Sequence, residues 1–109
     1  MRRAIVNGGL ILVLTGEALA GDVSKGQALF AARCSFCHGP EGKGDGPVGA
    51  ALKPPPTNLA SSEYWRNANL QRVREVLKNG KSGTAMPPSQ LSAEEIEDVV
   101  AYLETLPRK

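Results

Sequence analysis

Cys34-Ser35-Phe36-Cys37-His38 is the stretch whose residue types and spacing carry chemistry. Two thiols separated by two residues can each add to one vinyl group of the same porphyrin, and the adjoining imidazole is then carried to the iron. C-x-x-C-H is the sequence signature of covalent c-type haem attachment. Thioether bonds do not dissociate, so a haem held this way becomes part of the chain. Three plainer readings compete. A thioredoxin-like redox dithiol expects a strand before it and an alternating βαβ pattern, which this sequence lacks. A structural zinc site needs four ligands, and Cys34, Cys37 and His38 exhaust the cysteines and histidines present. A structural disulfide accounts for both cysteines and leaves the contiguous histidine as coincidence.

A second residue able to reach iron is Met86, in Lys81-Ser82-Gly83-Thr84-Ala85-Met86-Pro87-Pro88; the only other methionine is Met1. A lone methionine is ordinarily a gap-filler in a core. Here Pro87 biases Met86 towards an extended conformation, Pro88 stiffens the exit and Gly83 supplies the turn leading in. Such a loop holds a thioether at a fixed distance. With no second histidine, Met86 is the candidate distal ligand opposite His38. Histidine and methionine together fill the iron's coordination, which leaves one-electron transfer and no enzymatic activity. The soft sulfur and a water-excluding apolar shell both favour ferrous iron and a raised potential.

The elements that must position these residues are helical. Asp22 can cap a helix over Val23–Arg33, with Val23, Gly26, Leu29 and Phe30 at helical intervals. Gly26 in mid-helix costs about 1 kcal/mol against alanine, so it signals either simple tolerance or a close approach by another element. After His38, five glycines punctuate residues 39–49. Gly44 to Gly49 spell G-x-G-x-x-G, but no strand precedes them and Pro47 lies inside, so the stretch reads as a turn-rich loop whose backbone can pass close to the porphyrin edge. Lys53-Pro54-Pro55-Pro56-Thr57-Asn58-Leu59 is stiff and extended. Tyr64 and Trp65, an adjacent aromatic pair, read as core edge or as donors to a haem propionate, with Trp65 the preferred donor. From Asn67 or Asn69 as cap, Leu70, Val73, Val76 and Leu77 form an apolar stripe ending at Asn79-Gly80, with Arg72, Arg74 and Lys78 on solvated faces. Ser92 and Glu95 fit a capping box, and Ile96, Val99, Val100, Leu103 and Leu106 line one face of a final helix closed by Pro107. With no strand pattern of useful length, the fold class is all-α: three main helices with long loops wrapped around one haem.

The order of these features resembles class I cytochrome c, the small monohaem domain with histidine and methionine on the iron, across residues 22–106. Gly26, Phe30 and Cys34 stand at that family's spacing before the haem motif, Met86-Pro87 matches its methionine, and Tyr102 matches the aromatic residue of its late helix. The resemblance implies a crossing of first and last helices, with the Tyr102 side packed against Gly26 and Phe30. It also implies that His38 gives its second ring N–H to a proline carbonyl after the motif, one of Pro54, Pro55 and Pro56 (Pro56 preferred) or else Pro47. A propionate-binding tryptophan, matched by Trp65, is a further implication. So is haem attachment outside the cytoplasmic membrane.

At 109 residues the chain is one small domain, in the range where a cofactor commonly supplies missing core. Arg2 and Arg3, the mostly apolar residues 4–14 and Ala18-Leu19-Ala20 read as a secretory signal peptide with an A-x-A cleavage site. The alternative, an uncleaved anchor, is short of the ~20 residues a span needs. The expected organisation is a cleaved leader over 1–20 and a monohaem domain over 21–109, exported to the periplasm and not inserted in the membrane. Formal charge is +2 and falls to +1 with the loss of Arg2, Arg3 and Glu17. That excludes a case for nucleic-acid binding or strong long-range steering. The expected function is a monomeric electron carrier with transient donor and acceptor proteins. Its rivals are a cytochrome subunit held permanently on an oxidoreductase, and a haem sensor or peroxidase with a labile Met86.

Overall fold

The computed structural model describes residues 21–109; the expected leader lies outside them. Five α-helices follow one another: α1 (Val23–Arg33), α2 (Ser35–His38), α3 (Ser62–Asn67), α4 (Leu70–Asn79) and α5 (Ala93–Leu103). A 3₁₀ turn, Gly49–Ala51, separates α2 from α3. The described residues contain no strand, and the chain is all-helical, as the periodicity requires. The three long helices are α1, α4 and α5; α2 and α3 are single short turns that ride on the loops.

The caps explain where the long helices begin. Asp22 accepts the N–H of Lys25, Asn69 that of Arg72, and Ser92 with Glu95 closes a full capping box. Each side chain satisfies a donor the helix cannot. Gly80, at φ 77, ends α4 in a conformation that suits glycine.

α1 crosses α5, and α4 packs against α5. Gly26 makes the crossing possible: a Cβ there would fall on the Asp98 carbonyl and 3.0 Å from the Tyr102 Cβ. The mid-helix glycine therefore marks a close approach. One turn on, Phe30 is 2% exposed and packs its ring 5.4 Å from that of Tyr102. Burying a side chain of this size stabilises the fold by about 1.5–3 kcal/mol. Val99, Val100 and Leu103 of α5 and Val73 and Leu77 of α4 complete the core.

The glycine-rich loop packs on α2 and satisfies its end: Gly44 donates to the His38 carbonyl at 2.7 Å, Gly46 to Cys37 at 3.1 Å and Val48 to Phe36 at 3.1 Å. A side chain at Gly46 would meet the Phe36 and Ser35 carbonyls, and one at Gly49 the Cys37 carbonyl. The glycines are there because two backbones touch. Lys109 donates to Ala60 and accepts from Ser62, both at 2.9 Å, pinning the last residues beside α3.

Candidate functional site

A cavity of about 560 Å³ opens between α1, α4, α5 and the loops after α2 and α4, within the roughly 300–1,000 Å³ of small-molecule and cofactor sites. Its walls are apolar: Phe30, Leu59, Val73, Val76, Leu77, Val99 and Leu103 face it. His38, Cys34 and Met86 line the same cavity. Residues far apart in sequence are thus brought around one space. Cys37 does not line it; it sits half-buried on α2 with its carbonyl taken by Gly46.

α2 is what carries the motif inward. His38 ends this turn, and its Nδ1 lies 3.0 Å from the Thr57 carbonyl oxygen. A carbonyl only accepts, so Nδ1 is the protonated nitrogen and Nε2 keeps its lone pair. Burial pushes the imidazole pKa below its ordinary range, against the smaller upward pull of the Thr57 carbonyl, and so favours the neutral, ligating form. The Cys34 thiol is pushed up to about 11, first by burial, with Arg33 pulling down and Cys37 pushing up. At neutral pH it is a thiol and not a thiolate. Both cysteines are free of any disulfide in this structure.

The acceptor for His38 is therefore the carbonyl of Thr57, one residue beyond the proline run, and the expectation of a proline carbonyl, Pro56 foremost, is corrected. The stiff Pro54-Pro55-Pro56 segment delivers the next carbonyl to the ring. Pro56 instead packs on the glycine loop, where its carbonyl would stand 2.8 Å from a Cβ at Gly44.

Met86 is held on both sides of its backbone. Its N–H donates to Thr84 Oγ1 at 3.1 Å and its carbonyl accepts from Lys81 N–H at 3.1 Å. Thr84 is itself fixed by a turn, its N–H and hydroxyl both reaching the Lys81 carbonyl, with Gly83 at φ 78 inside that turn. Gly80 closes the approach from α4, since a Cβ there would come 2.9 Å from the Met86 carbonyl.

For Trp65, of the two readings core edge and propionate donor, the geometry favours the first. Its indole N–H donates to the Leu59 carbonyl at 2.8 Å, and the Arg108 guanidinium lies 4.2 Å from the ring centroid on its face. The donor is engaged and the ring does not line the cavity. Its neighbour Tyr64 does line the cavity, edge-on to Trp65 at 5.0 Å. Burial raises the phenol's pKa while Arg72 lowers it, which places a donor and a cation together. Arg72 and Lys81 are the cations on the cavity wall.

Arg72 is exposed, as the stripe of α4 suggested, and also reaches the cavity wall. Arg74 is not simply solvated: it donates from Nε at 2.8 Å and Nη2 at 3.1 Å to the Glu97 carboxylate. That fork raises the guanidinium pKa and ties α4 to α5. Thr57 and Arg72 were missed by sequence reasoning for different reasons. A backbone carbonyl carries no side-chain signal, whereas Arg72 precedes Val76 by four residues, so helical spacing puts it on the edge of the cavity face.

A tetrapyrrole needs an apolar slot, one or two iron ligands and cationic or hydrogen-bonding groups for its carboxylates. These residues fit such a group: the apolar walls, the His38 lone pair and the Met86 thioether meet the first two needs, and Arg72, Lys81 and Tyr64 the third.

Comparison with known proteins agrees with this geometry. A family model described as Cytochrome c matches residues 23–107. The chain is 32% identical over 94 residues to a cytochrome c6 of Rippkaea orientalis, covering 84% of this chain and 78% of that one. It is 29% identical over 108 residues to a cytochrome c6 of Gloeothece citriformis, covering 94% and 93%. Among solved structures, the c-type cytochrome KustC0563 superposes with a TM-score of 0.65 over 76% of this chain and 98% of that chain; at 24% identity this shows a shared fold.

Proposed function

The chain belongs to the cytochrome c family, and from that premise we propose that it carries single electrons by means of one haem c, attached through Cys34 and Cys37 and ligated by His38 and Met86. Family membership implies covalently bound haem c and an electron-carrying role; the ligand pair, the setting and the partners are our reading. When bound, a haem with an imidazole and a thioether on its iron supplies one-electron transfer at a raised potential.

The chain's own residues do the rest. The Thr57 carbonyl fixes the His38 ring in one tautomer and orientation. Thr84, Lys81 and Gly80 hold the Met86 backbone, so the thioether keeps its place whatever the charge on the iron. Val73, Leu77 and Leu103 exclude water from the slot. Arg72, Lys81 and Tyr64, which line the same cavity, would take the propionate carboxylates. The observation that carries the reading is the convergence of His38 and Met86 on one apolar cavity from segments far apart in sequence.

The setting we propose is the periplasm, reached by cleavage after Ala20. No helix among the described residues is long and apolar enough to cross a membrane. Partners are donor and acceptor redox proteins that meet a monomer transiently, through a small patch of the kind used in redox encounters. Phe36, 64% exposed and adjacent to Cys37, supports that placement.

Potentiometric titration of the purified exported protein tests the reading. A reversible one-electron wave is expected, moved to lower potential in Met86→Ala. A wave that Met86→Ala leaves in place overturns the axial assignment.

A further inference from the structure

Asp98, on α5 and 7% exposed, is the one charged side chain buried in the described core, and nothing above makes use of it. A carboxylate at that depth is costly unless paired or well hydrogen-bonded. Its Oδ1 accepts the backbone N–H of Asp22 at 2.8 Å, and among the described residues no other hydrogen bond reaches it. Gly21, the residue before, is pressed on the same stretch of α5. A Cβ on Gly21 would fall on the Glu97 carbonyl and come 3.0 Å from the Asp98 nitrogen. One residue of chain spans at most about 3.6 Å, so the Gly21 nitrogen stands within about 6.5 Å of Asp98 Oδ1.

We propose that Asp98 is the receptor for the α-ammonium of Gly21, created when residues 1–20 are removed, so that processing completes this side of the fold. The proposal rests on cleavage after Ala20, put forward above. In the unprocessed chain the Gly21 nitrogen is an uncharged amide with one proton. Hydrolysis of the Ala20–Gly21 peptide bond by water leaves a carboxylate on Ala20 and an amine on Gly21, and below its ordinary pKa of about 7.7–8.0 the amine takes up a proton. The new cation has three donors and lies one residue from the N–H that Asp98 already holds. A side chain at position 21 would push it away from α5, which accounts for a glycine there.

The other charges nearby are committed or face solvent. The Asp22 carboxylate caps α1 through the Lys25 N–H at 3.0 Å. Glu97 is held by Arg74 at 2.8 Å and 3.1 Å. On α5, Glu94 one turn before Asp98 is exposed and Tyr102 one turn after it is half-buried; on α1, Lys25 is exposed. Asp98 is left as the natural counter-ion.

An ammonium stabilised by Asp98 in the fold has its pKa raised above the unfolded value. Its contribution is then whole below about pH 7.5 and lost as pH rises through the folded value. The test uses the exported holoprotein, with its N-terminus fixed by intact mass, and thermal melts from pH 6 to pH 10. Asp98→Asn keeps the acceptor for Asp22 N–H and removes the charge. The wild type is expected to melt about 4 °C above Asp98→Asn at pH 6.5, with the gap closing towards pH 10. A version extended by two residues after Ala20 is expected to lose the same pH-dependent increment. In the unaltered protein, the Gly21 α-protons followed by NMR are expected to titrate above the ordinary range, a readout that survives if Asp98→Asn folds poorly. A mature mass starting at Gly21, with parallel melting curves and an ordinary Gly21 titration, overturns the proposal alone. A mass starting elsewhere overturns it together with the cleavage reading.

Discussion

His38 keeps its lone pair on Nε2 because the Thr57 carbonyl accepts a hydrogen bond from Nδ1–H, and burial favours the neutral ring. Replacing His38 with alanine therefore removes the proposed ligand at the end of α2. His38→Ala is expected to abolish haem incorporation or leave an unstable product, read as loss of covalent haem on a stained gel. A normal absorption spectrum in that variant would contradict the assignment. The thiols and imidazole of the motif were legible because covalent attachment dictates their spacing. The acceptor was not. Any residue offers a carbonyl, and the proline run located the segment but not which carbonyl in it faces the ring. Trp65 stayed between core edge and propionate donor for a related reason: an indole N–H asks for a partner, and sequence does not say that the Leu59 carbonyl lies 2.8 Å away.

Among the elements, the crossing of α1 on α5 depends on a missing side chain. Gly26→Ala puts a methyl on the Asp98 carbonyl, and forcing the helices apart is expected to destabilise the protein by about 1–3 kcal/mol. Denaturant unfolding of the holoprotein measures this, and an unchanged midpoint would refute the close approach. The capping box of α5 gives a smaller effect. Ser92→Ala is expected to cost about 1 kcal/mol, seen as a lower midpoint with an unchanged haem spectrum. Caps and apolar stripes were readable because they are local: Asp22, Ser92, Asn79-Gly80 and the 73/76/77 spacing all act within their own helix. The Arg74–Glu97 fork and the docking of the glycine loop on α2 were not readable, since each joins segments that only the fold brings together.

At the scale of the molecule, the cavity is walled largely by apolar side chains of α1, α4 and α5. A chain this short has little burial to spare, so a filled cavity acts as core. Cys34→Ser/Cys37→Ser, which cannot attach haem, is expected to show reduced helicity by far-UV circular dichroism and no sharp melt. Full helicity and a cooperative melt would show that the helices hold without the cofactor. All-helical class and the order of the three long helices followed from caps and periodicity, plain in α4 and α5 and weaker in α1, where Gly26 and Phe30 are the buried residues. That they meet around one space lined by both His38 and Met86 required the fold.

The visible spectrum of the purified exported protein, ferric and then ferrous, with carbon monoxide added last, tests the central claim most directly. The pairing of His38 with Met86 predicts a c-type ferrous spectrum, the weak far-red band of sulfur-ligated ferric haem, and no response to carbon monoxide; Met86→Ala is predicted to lose the band and bind the gas. A wild-type protein that lacks the band and binds carbon monoxide at once would contradict it.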